Sequence, residues 1–138
     1  MIGNSNYLCG EVEDDATRYA ARTLEDAGSL VVLPGFGGVD KYGNKMLLGS
    51  NASDYSASLA ASYLDADQLV FAKDVDGVYS EGEKLDNIVL QGQDVGQVLH
   101  QKVAGPLYNK NMDVRVGNVE HLDNLVKKEP EYGTRIIV

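Results

Sequence analysis

The sequence predicts an α/β fold, a three-layer sandwich in which helices cover a mostly parallel sheet. Three observations carry this. Helical stretches alternate with short apolar runs along the chain. Those runs are brief and bounded by Gly, Pro or acidic turns, as buried parallel strands are. No repeat, low-complexity segment or linker interrupts the alternation, so residues 1–138 are expected to form one domain.

Taken in order, Met1 to Gly10 is polar and irregular and lacks the basic start of a secretory signal. Glu13 to Ala27 reads as a helix. Acidic residues crowd its first turn, where they complement the amide dipoles, and Ala16, Tyr19, Ala20, Thr23, Leu24 and Ala27 form one stripe. Gly28 is a natural stop. Ser29 to Leu33 reads as a buried parallel strand between Gly28 and Pro34. Pro34-Gly35-Phe36-Gly37-Gly38 follows; its glycines let backbone amides approach a ligand closely, or simply make a tight turn. Val39 to Leu48 reads as a hairpin turning at Lys41-Tyr42-Gly43-Asn44.

A helix is expected from Ser53 to about Leu64, with Ser53 as N-cap and Tyr55, Leu59, Ala60, Tyr63 and Leu64 facing a core. Asp54 in its first turn either supports the helix amides or orients a phosphate-side cation. A buried strand is expected from Gln68 to Lys73, with Leu69 to Ala72 its most apolar part, and it ends in Asp74-Val75-Asp76-Gly77. That turn is not a calcium loop, because the acidic spacing is wrong and the closing Glu is missing. Tyr79 either stacks on a base or packs. Ile88 to Leu90 is a short extended piece, and Asp94 to Val103 a helix interrupted by Gly105-Pro106, with a second short helix running to Asn111. His100 on that helix reads as a hydrogen-bonded residue rather than a ligand. Met112 to Val116 alternates like a strand. Glu120 to Lys128 reads as a surface helix anchored by Leu122, Leu125 and Val126, and Thr134 to Val138 as a closing strand.

The formal net charge of −9 argues against a nucleic-acid backbone as partner. No apolar run approaches the ~20 residues that span a bilayer, so no membrane is expected and the cytoplasm is the default location. The lone Cys9 reads as a small buried side chain and permits no intrachain disulfide. In open α/β sheets ligands bind at the carboxyl ends of strands. The loops at Gly49–Ser53 and Asp74–Tyr79 are therefore the candidate site.

Several of these stretches together resemble the amino acid kinase superfamily, and within it the aspartokinases, over the C-terminal half of the kinase domain. Pro34-Gly35-Phe36 with Gly38 is similar to the family's PGFxG loop. Leu48-Gly49 is similar to its TLG segment, Ser53-Asp54-Tyr55-Ser56-Ala57 to its SDYSA helix start, and Asp74-Val75-Asp76-Gly77-Val78-Tyr79 to its DVDGVY nucleotide loop. Val98-Leu99-His100, Met112-Asp113-Val114-Arg115-Val116 and Gly133-Thr134 resemble the elements that follow. The resemblance implies transfer of the γ-phosphoryl group of ATP, with Mg2+, to the β-carboxylate of L-aspartate, in amino-acid biosynthesis leading to lysine.

In that scheme Asp54 is catalytic and orients a phosphate-contacting lysine, while Ser53 and Ser50 lie on the substrate side. Gly35, Gly37, Gly38, Lys73, Asp74, Asp76, Gly77 and Tyr79 lie on the nucleotide side. No residue is assigned as a metal ligand.

The departures from the family pattern are specific. Ser50 stands where the family has an Arg that would grip a carboxylate bidentately. Asn51 and Ala52 replace two glycines, Lys73 replaces the usual Thr, and Ser80-Glu81-Gly82 replaces a DPR segment. Gln97 and Gln101 replace a lysine and a proline. The family's KFGG-type lysine is expected to come from an N-terminal half outside these residues, and no ACT regulatory domain is expected after Val138.

Three functional readings follow. The chain is part of an aspartokinase-type enzyme, inactive on its own. Alternatively it is a non-catalytic module that binds a nucleotide or a protein, or a superfamily kinase with another acceptor, such as uridylate or glutamate. Self-association or a complementary N-terminal-half chain is the expected protein partner.

Overall fold

A computed structural model describes residues 1–3, 11–12, 14–25, 28, 30–90 and 98–138. For residues 14–16, 19 and 25 it describes the backbone only. Cys9, Ala27 and the start of the helix expected from Asp94 lie outside the described residues. The chain divides into two compact units, Met1–Asp65 and Ala66–Val138.

The first unit contains β1 (Ile2–Gly3), α1 (Asp14–Glu25), β2 (Gly37–Asp40), β3 (Lys45–Leu47) and α2 (Ser53–Tyr63). β2 pairs parallel with β1 and antiparallel with β3, so the expected hairpin is present, with Gly37 opposite Leu47. Its turn is held by a carboxylate that the sequence reading passed over. Asp40 is 2% exposed. Its oxygens accept from the Tyr42 and Asn44 amides at 2.9 and 2.8 Å and from Asn44 Nδ2 at 3.0 Å. A buried carboxylate is tolerable when such donors replace its hydration.

Helix α1 buries Thr17 and Ala21, one turn apart; of the described residues of the expected stripe, Ala20 and Leu24 are half-buried and Thr23 is exposed. Thr17 Oγ1 accepts from the Ile2 amide at 3.0 Å and donates to the Ile2 carbonyl at 3.1 Å, which fastens β1 to the helix. Gly28 has φ +59, as a left-handed stop requires. The core of this unit is Ala21, Met46, Leu48, Ala52, Leu59 and Tyr63, with Tyr55 and Leu64 packed against it. The Arg18 guanidinium lies 5.5 Å from the Tyr63 ring centroid.

Two expectations fail here. Leu30–Leu33 is not a strand: Leu30 is 94% and Val32 86% exposed. A buried parallel strand needs ladder partners and cover, and no described strand pairs with this run. The N-cap of α2 is Ala52, not Ser53, and no side chain caps it. Ala52 is fully buried in the core, and its carbonyl already accepts the Ser56 amide at 2.9 Å. Burial of the alanine sets the helix start one residue earlier, and Ser53 becomes the first helical residue.

The second unit is a four-stranded mixed sheet in the order β4-β8-β9-β7, made by Gln68–Lys73, Asp113–Asn118, Thr134–Ile137 and Asn87–Val89. β4–β8 and β7–β9 are parallel, and β8–β9 is antiparallel. A two-stranded ribbon, β5 (Tyr79–Ser80) with β6 (Glu83–Lys84), follows the acidic turn; the sequence reading left this stretch without structure. Phe71, Val114, Val116, Leu125 and Ile136 are buried. The α/β class is thus present in both units.

The helices of this unit differ from expectation. Val98–Val103 is not helical, and Gly105-Pro106 lies inside α3 (Ala104–Leu107) instead of breaking a helix. A proline fits a first turn, where the amides lack intrahelical partners. The helix expected over Glu120–Lys128 is a 3-10 turn, Val119–His121, followed by α4 (Leu122–Val126). Of its three expected anchors only Leu125 is buried, while Leu122 is 41% and Val126 50% exposed. Gln68 Nε2 donates to the carbonyls of Leu125 and Val126 at 3.3 and 3.2 Å, which satisfies the end of α4 from β4.

Candidate functional site

In the first unit the glycine-rich loop lies against the start of α2. A Cβ built on Gly35 would sit 3.0 Å from the Ser53 Cβ, so the two segments are in close contact. Ser56 joins them. Its Oγ accepts the Phe36 amide at 3.0 Å and donates to the Ser53 carbonyl at 2.8 Å. The Phe36 carbonyl accepts the Leu48 amide at 2.9 Å. Both backbone groups of Phe36 are therefore engaged, and they hold a bulky residue at φ 52. That left-handed conformation costs about 1–2 kcal/mol for a non-glycine residue, and such outliers cluster at ligand sites.

The loop, the hairpin and α2 enclose a cleft of about 840 Å3. Gly35, Gly37, Gly38 and Ser53 line it, with Lys45 at its side and apolar walls from Leu33 and Leu47. Asp54 is half-buried in the first turn of α2 beside the exposed Ser53. Ser50 is exposed, and Asn51 follows at φ 55. Asn is among the few non-glycine residues that adopt this conformation readily, so Asn51 keeps a backbone geometry that a glycine would otherwise supply.

In the second unit Lys73 ends β4 half-buried, and Asp74 and Asp76 are exposed on the turn that follows. Tyr79 is 51% exposed, and its hydroxyl donates to both Asp76 oxygens at 3.0 and 3.1 Å. That hydrogen bond holds the Tyr79 pKa above the ordinary 10.0, with smaller contributions from desolvation and from the Asp76 charge. Gly77 is buried, and a Cβ there would lie 2.7 Å from Thr134 Oγ1 and 3.2 Å from the Lys84 side chain. Lys84 Nζ donates to the Glu131 carbonyl at 2.6 Å.

Each unit thus gathers its own predicted residues: the glycine loop with Ser53 and Asp54 in the first, and Asp74 to Tyr79 in the second. The sequence reading gave no role to Ser56 or Thr134. Ser56 is bonded to an amide twenty residues away, and Thr134 Oγ1 to groups 56 and 49 residues away. No local signal marks such partners. Among the described residues, no group of three or more His, Cys, Asp and Glu could hold a metal ion. His100 Nδ1 accepts the Lys102 amide at 3.2 Å, a local turn contact.

Known proteins are similar to this chain in sequence and fold. Residues 3–118 match the amino acid kinase family. A bifunctional aspartokinase/homoserine dehydrogenase of Haemophilus influenzae is 31% identical over 86% of this chain, and an aspartate kinase of Pseudomonas fluorescens is 40% identical over 51% of it. The chain covers 16% and 19% of those two proteins. Aspartokinase III of E. coli, solved with aspartate and ADP, superposes with a TM-score of 0.79 at 25% identity, over 99% of this chain and 32% of that one. Uridylate kinase of Archaeoglobus fulgidus shares the fold, with a TM-score of 0.64 at 24% identity over 87% of this chain and 57% of that one. The chain belongs to the amino acid kinase family, with an aspartokinase-type sequence and fold.

Proposed function

We propose that this chain carries the nucleotide side and part of the acceptor side of an aspartokinase-type phosphotransferase. The observation that carries the reading is the Asp74–Tyr79 turn. It stands at the carboxyl end of β4 with Tyr79 tied to Asp76 and Gly77 packed against Thr134. It is the position where α/β sheets bind ligands. In this reading Asp74 and Tyr79 contact ATP, and Lys73 adds positive charge near its phosphates. Gly35, Gly37 and Gly38 offer amides, Ser53 and Ser50 face the acceptor, and Asp54 orients a phosphate-side lysine. A cytoplasmic setting belongs to the same reading.

The chemistry needs little from the protein beyond position and charge. A carboxylate oxygen of L-aspartate attacks the γ-phosphorus, the bond from that phosphorus to the β,γ-bridging oxygen breaks, and ADP leaves. An ionised carboxylate has no proton to lose, so no general base is required. Positioning and neutralisation then dominate, as in phosphoryl transfer generally. Mg2+ in such sites is held mainly by phosphates and water with one or two carboxylates; Asp74 suits that role, and the ion would offset the phosphate charge.

Ser50 favours a second reading, a module that binds nucleotide without transferring phosphate. A hydroxyl in the place of a carboxylate-gripping Arg loses a bidentate, charge-assisted contact and so weakens the hold on the acceptor. A coupled ADP-release assay with L-aspartate separates the two readings. The 138-residue chain is expected to show no turnover alone while calorimetry detects weak ATP-Mg2+ binding. Turnover that disappears in Asp54→Ala would establish the chain as catalytic by itself. No heat and no thermal shift with ATP would remove the nucleotide reading.

A further inference from the structure

A hydroxyl far along the chain reaches into the Asp74–Tyr79 turn. Thr134, the first residue of β9, is fully buried. Its Oγ1 accepts the Val78 amide at 2.9 Å and donates to the Leu85 carbonyl at 2.6 Å. The Leu85 amide in turn donates to the Val78 carbonyl at 2.8 Å. These three bonds close the neck of the β5–β6 ribbon, and one residue later the Arg135 amide donates to the Asp86 carbonyl at 2.8 Å. Gly77 passes against the same hydroxyl, where a Cβ would not fit. Asp76 and Tyr79, bonded to each other, flank this anchored pair. The direction in which the turn leaves β4 therefore depends on a donor and an acceptor on one side chain far away in sequence.

We propose that Thr134 is the positioning residue of this turn: its hydroxyl, by joining the Val78 amide to the Leu85 carbonyl, fixes the arrangement in which Asp74 and Tyr79 receive a nucleotide. The proposal rests on the nucleotide reading above. A hydroxyl carries one proton and two lone pairs, so it donates to the Leu85 carbonyl and accepts the Val78 amide at the same time. Valine has nearly the same shape but leaves the buried Val78 amide unsatisfied and takes its donor from the part-buried Leu85 carbonyl. Serine keeps both bonds and loses only a methyl group.

The test uses the full chain with ATP-Mg2+ as probe, below the melting temperature of every variant. It measures the dissociation constant by calorimetry and the exchange of the Val78 amide by NMR. Thr134→Val is expected to weaken ATP about tenfold and to speed Val78 exchange, the loss expected when a buried bonded pair is left unmade. Thr134→Ser is expected to stay within about twofold of the parent chain, since its bonds remain. Val114→Ala lowers stability at the opposite end of the β4–β8 pair and is expected to leave ATP affinity unchanged. Parent-like affinity in Thr134→Val, a Thr134→Ser variant as weak as Thr134→Val, or an equal loss in Val114→Ala would each overturn the proposal. A parent chain that binds no ATP while Thr134→Val still speeds Val78 exchange would make the hydroxyl purely structural. That outcome refutes the nucleotide reading separately from the clamp.

Discussion

Gly133→Ala is the sharpest test of the packing beneath the candidate nucleotide turn. Gly133 has φ +75, and a Cβ there would lie 2.5 Å from Leu125 Cδ2 and 2.5 Å from the Val116 carbonyl oxygen. The leucine end could shift, but the carbonyl belongs to β8, which is paired on both sides. Leu125 is itself fully buried, so its displacement overpacks a filled core. The backbone conformation contributes about 1 kcal/mol and the overpacking about 1–3 kcal/mol. Together these make a loss of roughly 2–4 kcal/mol, a large share of the ~5–15 kcal/mol that holds a domain.

Gly43→Ala is the control. Gly43 also has a positive φ, +83, but nothing lies within 4 Å of its added Cβ. It should cost only the backbone part, about 1 kcal/mol. Urea denaturation followed by circular dichroism, with separate fluorescence or NMR probes for the two units, measures both variants. The steric difference between them, about 1–3 kcal/mol, is the quantity of interest. Equal losses in Gly133→Ala and Gly43→Ala would refute the close approach of Gly133 to β8 and α4.

Other outcomes follow from the same geometry. Tyr79 should titrate above 10.0, seen as the difference in tyrosinate absorbance between the parent chain and Tyr79→Phe, and Asp76→Asn should lower its midpoint. Because the folded pKa is raised, the stabilising contribution of this bond is present below pH 10 and fades as pH rises through the raised value; a midpoint at or below 10 would contradict the bond. Asp40→Ala leaves three donors of the hairpin turn without their acceptor and should cost about 1–3 kcal/mol in denaturation; an unchanged midpoint would argue that water replaces the carboxylate without loss. Val32→Lys should leave the melting temperature within about 2 °C of the parent, as surface substitutions usually do. A fall of 10 °C or more would mean that Leu30–Leu33 is packed as a strand after all.

Much of the candidate site was legible because it is written in contiguous residues. Gly35 and Asp74 to Val78 fall on loops, and Gly37, Gly38, Ser53, Asp54 and Tyr79 open β2, α2 and β5, elements whose edges could be read locally. β4 was found with its ends in place, and so was the hairpin of β2 and β3, because a short apolar run and a polar turn are local signals. The Ser29–Leu33 expectation failed for an instructive reason. An apolar, β-branched run reports that a segment suits a covered sheet, but cover comes from other strands. None of the described strands supplies it, and Leu30 and Val32 face solvent.

The sequence by itself determined the class and the family, and it singled out the residues proposed to touch a nucleotide. These depend on residue type, spacing and loop chemistry. The tertiary structure alone decided how those residues are held. Ser56 fastens the glycine loop to α2, Ala52 takes the cap that Ser53 was expected to hold, and Asp40 satisfies a turn from within a buried position. Thr134 bonds to Val78 and Leu85, 56 and 49 residues before it. A hydrogen bond between residues that far apart leaves no periodic trace in the chain; it exists only after the parallel β7–β9 pairing brings their backbones together.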